Sequence, residues 1–285
     1  MPLRTKKQPS HIGITRQLGF TLVEMVTVII VLGILVVGVS SFVIFGTRIF
    51  IESASVDQVL SQSRFGVERM TRDIRNAVPN SIRVQTATNG TYQCIEILPI
   101  SASTSYLDAP IYPDPVDDTM AVIQSNETIT AGWQAIMYPL TESELYSAAG
   151  TEGKRFEIDS VSVAANQADI KFASDVRFLD ASPLKRVFFA QEPMSYCFVK
   201  PNSTADADLF LYQGYGFQAS QPVPSDMGMG VLMAQNVSNA FLVEPAIVLT
   251  PSSLVTNAIV HLQPRFSVNG ESFKYQHQVQ VMNVP

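Results

Sequence analysis

Gly19-Phe20-Thr21-Leu22-Val23-Glu24 separates two chemically opposite stretches of this 285-residue chain. Before it, Met1 to Gly19 carries Arg4, Lys6, Lys7 and Arg16 and no acidic residue. After it, Phe20 to Phe45 is almost wholly apolar, with Glu24 as its single charge, and the next charge is Arg48. As a helix, Met25 to Gly46 would extend roughly 33 Å, close to the hydrocarbon thickness of a bilayer. Basic residues ahead of the run, and no charge of either sign within Met25 to Gly46, predict a cytoplasmic N-terminus and an exported remainder. A secretory signal has its small-residue cleavage site after the apolar run, which is then lost. Here the glycine precedes the run, so a cut between Gly19 and Phe20 would keep the membrane helix.

That order of features resembles the type IV prepilin signal sequence. The resemblance implies cleavage after Gly19 and N-methylation of Phe20 by a prepilin peptidase/methyltransferase. It also implies an assembly role for Glu24, whose carboxylate would pair with the freed Phe20 amine of a neighbouring subunit. A carboxylate inside an apolar helix costs about 2.5 to 3.5 kcal/mol on insertion scales, so a partner is physically required unless the residue reaches interfacial water by snorkelling. Both readings of Glu24 remain open on the residues alone.

The hydrophobic share of 46% is enough for a sizeable core. The net charge of -6 becomes -10 once the four basic residues of the leader are removed. So acidic a head repels phosphate backbones, and nucleic acid is not an expected partner. Cys94 and Cys197 both lie on the exported side, where an oxidising compartment permits a disulfide; two separate buried thiols are the alternative. Their separation, with no CxxC or paired histidines, gives no zinc pattern.

The chain has no proline between Pro9 and Pro79. Past Arg48, Ile49, Val56, Leu60, Val67, Met70, Ile74 and Ala77 recur at helical spacing, which predicts an amphipathic half from residue 47 to 79, stopped by Pro79. A helix from Phe20 to Val78 would be roughly 88 Å long. Beyond it the helical period gives way to short β-prone runs: Ser81 to Thr86, Tyr92 to Pro99, Arg186 to Ala190, Tyr196 to Lys200 and Leu209 to Tyr212. The run Ala258 to Val281, with Asn269-Gly270 at its centre, predicts a terminal hairpin. Ser101 to Asp118, rich in Ser, Pro and Asp, reads as a surface loop, and Gly230 to Asn239 as a short helix before a strand near Ala240. The expected fold is α+β: a long pilin-like N-terminal helix, 20–46 for membrane and assembly, followed by a β-rich head over 80–285.

This ordering, with Met233 to Val237 and the ending His277 to Pro285, resembles the large minor pilins, in particular the MshO-like group of the mannose-sensitive haemagglutinin (MSHA) system with its PilW-like and PulJ-like relatives. The resemblance implies a structural subunit that initiates a type IV pilus or caps its tip. Its implied partners are the peptidase, other minor and major pilins, and the inner membrane. A minor pseudopilin of type II secretion would share the same N-terminus, and a tip adhesin is a third reading. No catalytic constellation is visible, so no enzyme and no cofactor are expected. His261 and His277 read as ordinary sheet residues. Asp114, Asp117 and Asp118 are weak calcium candidates without EF-hand spacing, against the simpler reading of a solvated acidic loop; Asp206 and Asp208 read the same way. Trp133 and Tyr138 are by default buried aromatics.

Overall fold

The computed structural model describes residues 19–148, 150–252 and 256–281. Helix α1 (Leu22–Arg75) is followed by β1 (Arg83–Thr86), β2 (Tyr92–Ile97), β3 (Ala102–Asp108), β4 (Asp117–Ile123), β5 (Gln134–Ile136) and the short helix α2 (Glu142–Tyr146). Then come β6 (Glu152–Gly153), β7 (Arg155–Ala164), β8 (Gln167–Phe178), β9 (Arg186–Ala190), β10 (Met194–Val199) and β11 (Ala207–Gln213). The chain continues through β12 (Val231–Val237), β13 (Ile247–Thr250), β14 (Ala258–Leu262), β15 (Arg265–Val268), β16 (Glu271–Lys274) and β17 (His277–Val281). The chain is thus α+β, a long apolar helix followed by a sheet-rich body. It divides into two compact units between Ser53 and Ala54.

In the second unit α1 buries Ser63, Gly66, Val67, Met70, Thr71 and Ile74. Steps of three and one keep these residues on one side of a 3.6-residue helix. The expected stripe thus holds from Ser63 onward, whereas Ile49 and Leu60 stay exposed. The helix also stops before Val78. The Asn76 carbonyl accepts the Ile100 amide at 2.8 Å, Asn76 Nδ2 donates to the Ile100 carbonyl at 2.9 Å, and the Val78 amide donates to the Leu98 carbonyl at 2.8 Å. These groups pair with the chain leaving β2, so the helix ends ahead of the proline.

The buried stripe covers one face of a seven-stranded sheet of order β1-β2-β10-β11-β12-β15-β16. Val67, Met70 and Ile74 share a core there with Ile95, Ile97, Tyr196, Phe198 and Leu209. Helix and sheet meet closely at Gly66, where a Cβ would sit 3.3 Å from the Met233 carbonyl oxygen and 3.4 Å from Leu209 Cδ2. Tyr196 Oη donates to Asp73 Oδ2 at 2.6 Å, which fixes the last turn of α1 to β10. Burial, then this bond to the carboxylate, pushes the Tyr196 hydroxyl well above its usual range, so it stays a neutral donor. Successive strand residues face opposite ways, so Cys94 and Cys197 lie on the other face of the sheet. They are directly opposed on β2 and β10 and joined as a disulfide. Their Cα separation of 4.1 Å is near the ~4.5 Å of a non-hydrogen-bonded antiparallel pair.

Strands β2 and β10 are neighbours in space, yet all of β3 to β9 lies between them in sequence. That insertion forms its own layer. Its pairings run β4-β3-β9-β5-β7-β8 and return from β8 to β4, a ring of six, with β6 added in parallel to β8. Phe156, Phe172 and Phe178 fill its interior edge to face, the nearest pair 5.0 Å between centroids. The sequence reading of Ser101 to Asp118 as a loop is corrected here. Ala102 and Tyr106 point inward on β3, and only 109–116 connects it to β4. Polar outward positions gave this strand its loop-like composition.

The terminal hairpin forms, with Asn269 and Gly270 at φ 52° and 85° as a type I′ turn demands. One register runs through it: Ala258 opposes Val281, and Arg265 opposes Lys274. Its two halves nonetheless join different sheets. The pair β14 and β17 forms a three-stranded sheet with β13, while β15 and β16 extend the seven-stranded one. The change falls at Pro264, which has no amide to donate but accepts the Tyr275 amide at 2.8 Å. Two further expectations are corrected. Gly230 to Asn239 contains strand β12 and no helix; register shifts against β11 break its two-residue period and gave the window a helical look. Near Ala240 the chain turns instead of starting a strand, with the amides of Val243 and Glu244 donating to the Ala240 carbonyl.

Removing the disulfide by Cys94→Ala with Cys197→Ala should lower unfolding free energy by about 2 to 5 kcal/mol, since it closes a long loop. Urea unfolding of the detergent-purified chain, oxidised against the double variant, measures this. Gly66→Leu should cost a further ~1 to 3 kcal/mol by overpacking the helix against the sheet. The turn after β12 supplies a pH test. Glu244 pairs with Arg265 at 2.7 Å and Lys274 at 2.9 Å, and these bonds lower its carboxyl from 4.5 to about 2. A lowered folded-state pKa means the stabilisation is full above pH 4.5 and is lost as pH falls toward 2. Glu244→Gln should flatten stability in that window, read by thermal melts across the acid range.

Candidate functional site

The first unit begins, within the described residues, at Gly19 and Phe20, which precede α1 and belong to no helix or strand. Helix α1 starts at Leu22 because Thr21 caps it: the Glu24 amide donates to Thr21 Oγ1 at 3.3 Å and the Met25 amide to the Thr21 carbonyl at 3.2 Å. Glu24 falls in the first turn, where its charge complements the positive end of the helix dipole. Thr21-x-x-Glu24 is a cap signature present in the sequence, and reading Glu24 for its charge alone passed over it. The basic residues Arg4, Lys6, Lys7 and Arg16 lie outside the described residues.

Every residue from Gly19 to Ser53 is exposed. Phe20 is 78% and Leu22 80% accessible, and the large apolar side chains after them are uncovered through Ile51. This is the one helix among the described residues long and apolar enough to cross a membrane. Apolar surface on this scale is unfavourable in water, so the helix needs lipid or other helices around it. The Gly19-Phe20 junction, a capped helix start with Glu24 in its first turn and an uncovered apolar run therefore occur as one contiguous segment.

The other residues singled out from sequence are scattered over the second unit. Asp117 Oδ1 accepts from the Thr119 amide at 2.9 Å and its hydroxyl at 2.8 Å, bonds that lower its carboxyl. Asp118 pairs with Lys171 at 3.3 Å, and the Asp114 carbonyl oxygen accepts from Arg177. Among the described residues no three His, Cys, Asp or Glu side chains converge to hold a metal ion. Asp208 accepts the Asn236 amide, and Asp206 is exposed. His261 and His277 sit on β14 and β17. Trp133 and Tyr138 pack half-buried against the core of the inserted layer.

Sequence reasoning missed a buried polar network. Arg83 on β1 and Glu96 on β2 oppose one another and form an ion pair inside the protein. Arg83 also donates to the carbonyls of Gln218 and Ala219, each at 2.8 Å, and lies 3.7 Å from the Tyr146 ring centroid. Glu96 Oε1 accepts from Tyr215 Oη at 3.0 Å, and Tyr215 Oη is 2.8 Å from Ser195 Oγ. Burial raises the Glu96 carboxyl against the opposing pull of Arg83, and burial pushes the Tyr215 hydroxyl well up. The network ties β1, β2 and β10 to the 215–219 segment and leaves its charges engaged with one another. Its signal was a lone Arg and a lone Glu at facing positions of two short β-prone runs.

No curated protein and no solved structure matches this chain. Residues 14–40 match the family model described as the prokaryotic N-terminal methylation motif. That stretch spans the Gly19-Phe20 junction, Glu24 and the first half of the uncovered helix; the match indicates a type IV pilin-like prepilin, a pilin or pseudopilin of the kind processed by prepilin peptidase, and the one membrane-capable helix among the described residues fits a membrane-anchored pilin.

Proposed function

We propose that this chain is a minor, low-copy type IV pilin of the MSHA type, resembling MshO, that initiates pilus assembly or caps the tip. The observation that carries the reading is the methylation-motif match over residues 14–40, placed at the start of an apolar helical stretch that is exposed throughout from Leu22 to Ser53. Such a helix has two chemically equivalent environments, the bilayer and a bundle of like helices, and passage from one to the other is what filament assembly requires. Peptidase cuts between Gly19 and Phe20, Phe20 is N-methylated, and Glu24 pairs with the Phe20 amine of an adjacent subunit. The chain sits in the inner membrane by one span, N-terminus cytoplasmic and head periplasmic, and its partners are the peptidase and other minor and major pilins. It acts as a structural subunit and not as an enzyme.

The inserted ring of β3 to β9 supports a low-copy position. A repeating subunit must fit neighbours on every side, and a bulky insertion is accommodated most easily where neighbours are fewest. The Glu24 role follows from charge balance, since a carboxylate moved from the membrane interface into a helix bundle needs a cation, and the freed amine at Phe20 supplies one.

Intact-mass and N-terminal peptide analysis of membrane-extracted protein, expressed with and without a prepilin peptidase, tests the reading. The expected product with peptidase begins at N-methylated Phe20. An uncleaved chain, or one cut after the apolar run, overturns it. Glu24→Gln should leave the chain membrane-inserted yet reduce its recovery in sheared filaments by about tenfold, the effect of losing ~1.4 kcal/mol of pairing. Immunoblots of filament and membrane fractions report the ratio.

A further inference from the structure

We propose that the open edge of β1, with the cavity beside it, binds an extended segment of a partner pilin-like subunit by strand addition. Among the described residues strand β1 ends the seven-stranded sheet, with β2 as the one strand hydrogen-bonded to it. All four of its residues line a cavity of about 890 Å³. The Ala87 amide donates to the Tyr92 carbonyl at 2.9 Å, one step beyond the Thr86–Gln93 pair. Antiparallel alternation then turns the peptide groups of Arg83 and Gln85 toward β2 and those of Val84 and Thr86 outward. The outward groups form a short ladder of donors and acceptors, the template on which another strand pairs.

The cavity wraps around this edge, with different chemistry on each side. On the face shared with the disulfide lie Gln85 and the segment through Gln221. Gln85 Oε1 and Gln221 Nε2 are both buried without a hydrogen-bond partner, one an acceptor and the other a donor. Buried polar atoms are ordinarily paired, so two orphans of complementary kind in one cavity wall mark where a polar ligand group belongs. On the helix-covered face the wall is apolar: Leu242, Pro245, Val248 and Leu249. An added strand alternates its side chains between these walls, short hydrogen-bonding residues against the glutamines and apolar ones against Leu242 and Pro245.

Charge narrows the occupant. The two charged residues of the cavity lining are Arg83, already neutralised by Glu96, and the exposed Glu142. The groove therefore favours an uncharged or basic segment and disfavours an acidic one. Its walls are held in advance, one by the Arg83 bonds to Gln218 and Ala219 and the other by the Glu244 pairs with Arg265 and Lys274. A groove held open without its ligand spends less free energy on ordering when it binds.

The inference rests on the pilin reading for the identity of the partner alone, and peptide binding can succeed or fail independently of peptidase processing. The probes are fluorescent peptides titrated against the detergent-purified full chain: acetyl-Lys-Val-Ser-Val-Thr-Val-Asn-amide, and ten-residue peptides tiled across the pilin-like subunits expressed with it. Expected are binding tighter than about 1 mM by at least one alternating peptide, slowed hydrogen exchange at Val84 and Thr86 but not at Gln85, and loss of binding when the peptide's pairing amides are N-methylated. Val84→Pro removes an outward donor that β2 does not use, and should weaken binding by about tenfold or more. Gln85→Leu and Gln221→Leu should each weaken it several-fold while the melting temperature holds or rises, because an orphaned polar atom is removed. Should Val84→Pro fail to fold, the glutamine variants and the N-methylated peptide decide. No binding by any peptide, binding indifferent to N-methylation and to these variants, or preference for acidic peptides overturns the proposal.

Discussion

The pairing of β2 with β10 is the contact on which the rest of the head depends. It joins two strands whose sequence positions are separated by the whole inserted layer, and the Cys94–Cys197 bond crosses the pair at its middle. A contact so distant in sequence carries a large loop-closure cost, and a covalent crosslink there removes much of that cost from the unfolded side of the equilibrium. The same two strands present Ile95, Ile97, Tyr196 and Phe198 to helix α1, so the hydrophobic seat of the helix and the anchorage of the insertion share one ladder.

Two kinds of apolar surface coexist along α1, and their difference organises the molecule. From Ser63 the apolar residues follow one stripe and are consumed by the sheet. From Leu22 to Ile51 they surround the helix on all sides, and nothing among the described residues covers them. A one-sided pattern is satisfied by folding; an all-round pattern is satisfied by a different solvent or by other copies of the same surface. A single helix thus carries a folding interface and a stretch that needs other surroundings, and the methylation-motif match over residues 14–40 covers the start of the second.

The polar interior of the head follows the same economy of pairing. Arg83, Glu96, Tyr215 and Ser195 satisfy one another, and burial keeps the tyrosine hydroxyl a neutral donor beside the carboxylate. Gln93, also buried, uses its amide as a peptide mimic: it donates to the Ile247 carbonyl and accepts the Ile247 amide, which holds the three-stranded sheet against the larger one. Gln85 and Gln221, beside this well-paired interior, are left with unmatched atoms at an open strand edge. That contrast gives the edge its interest.

The amino-acid sequence by itself carried whatever depends on local order. The long helix, its change from all-round to one-sided apolarity, the terminal Asn-Gly hairpin and the strands at Tyr92, Arg186 and Leu209 were legible because period, charge placement and turn chemistry are short-range properties. Local order also misled: polar outward residues made β3 look like a loop, and register shifts made β12 look like a helix. What only the tertiary structure decided are relations across distance. The ring of six strands, the division of one hairpin between two sheets at Pro264, the meeting of Arg83 with Glu96 and the uncovered edge of β1 all come from residues far apart in sequence or from which strand ends a sheet. Periodicity within a strand states which residues face inward, but it is blind to which other strand lies alongside.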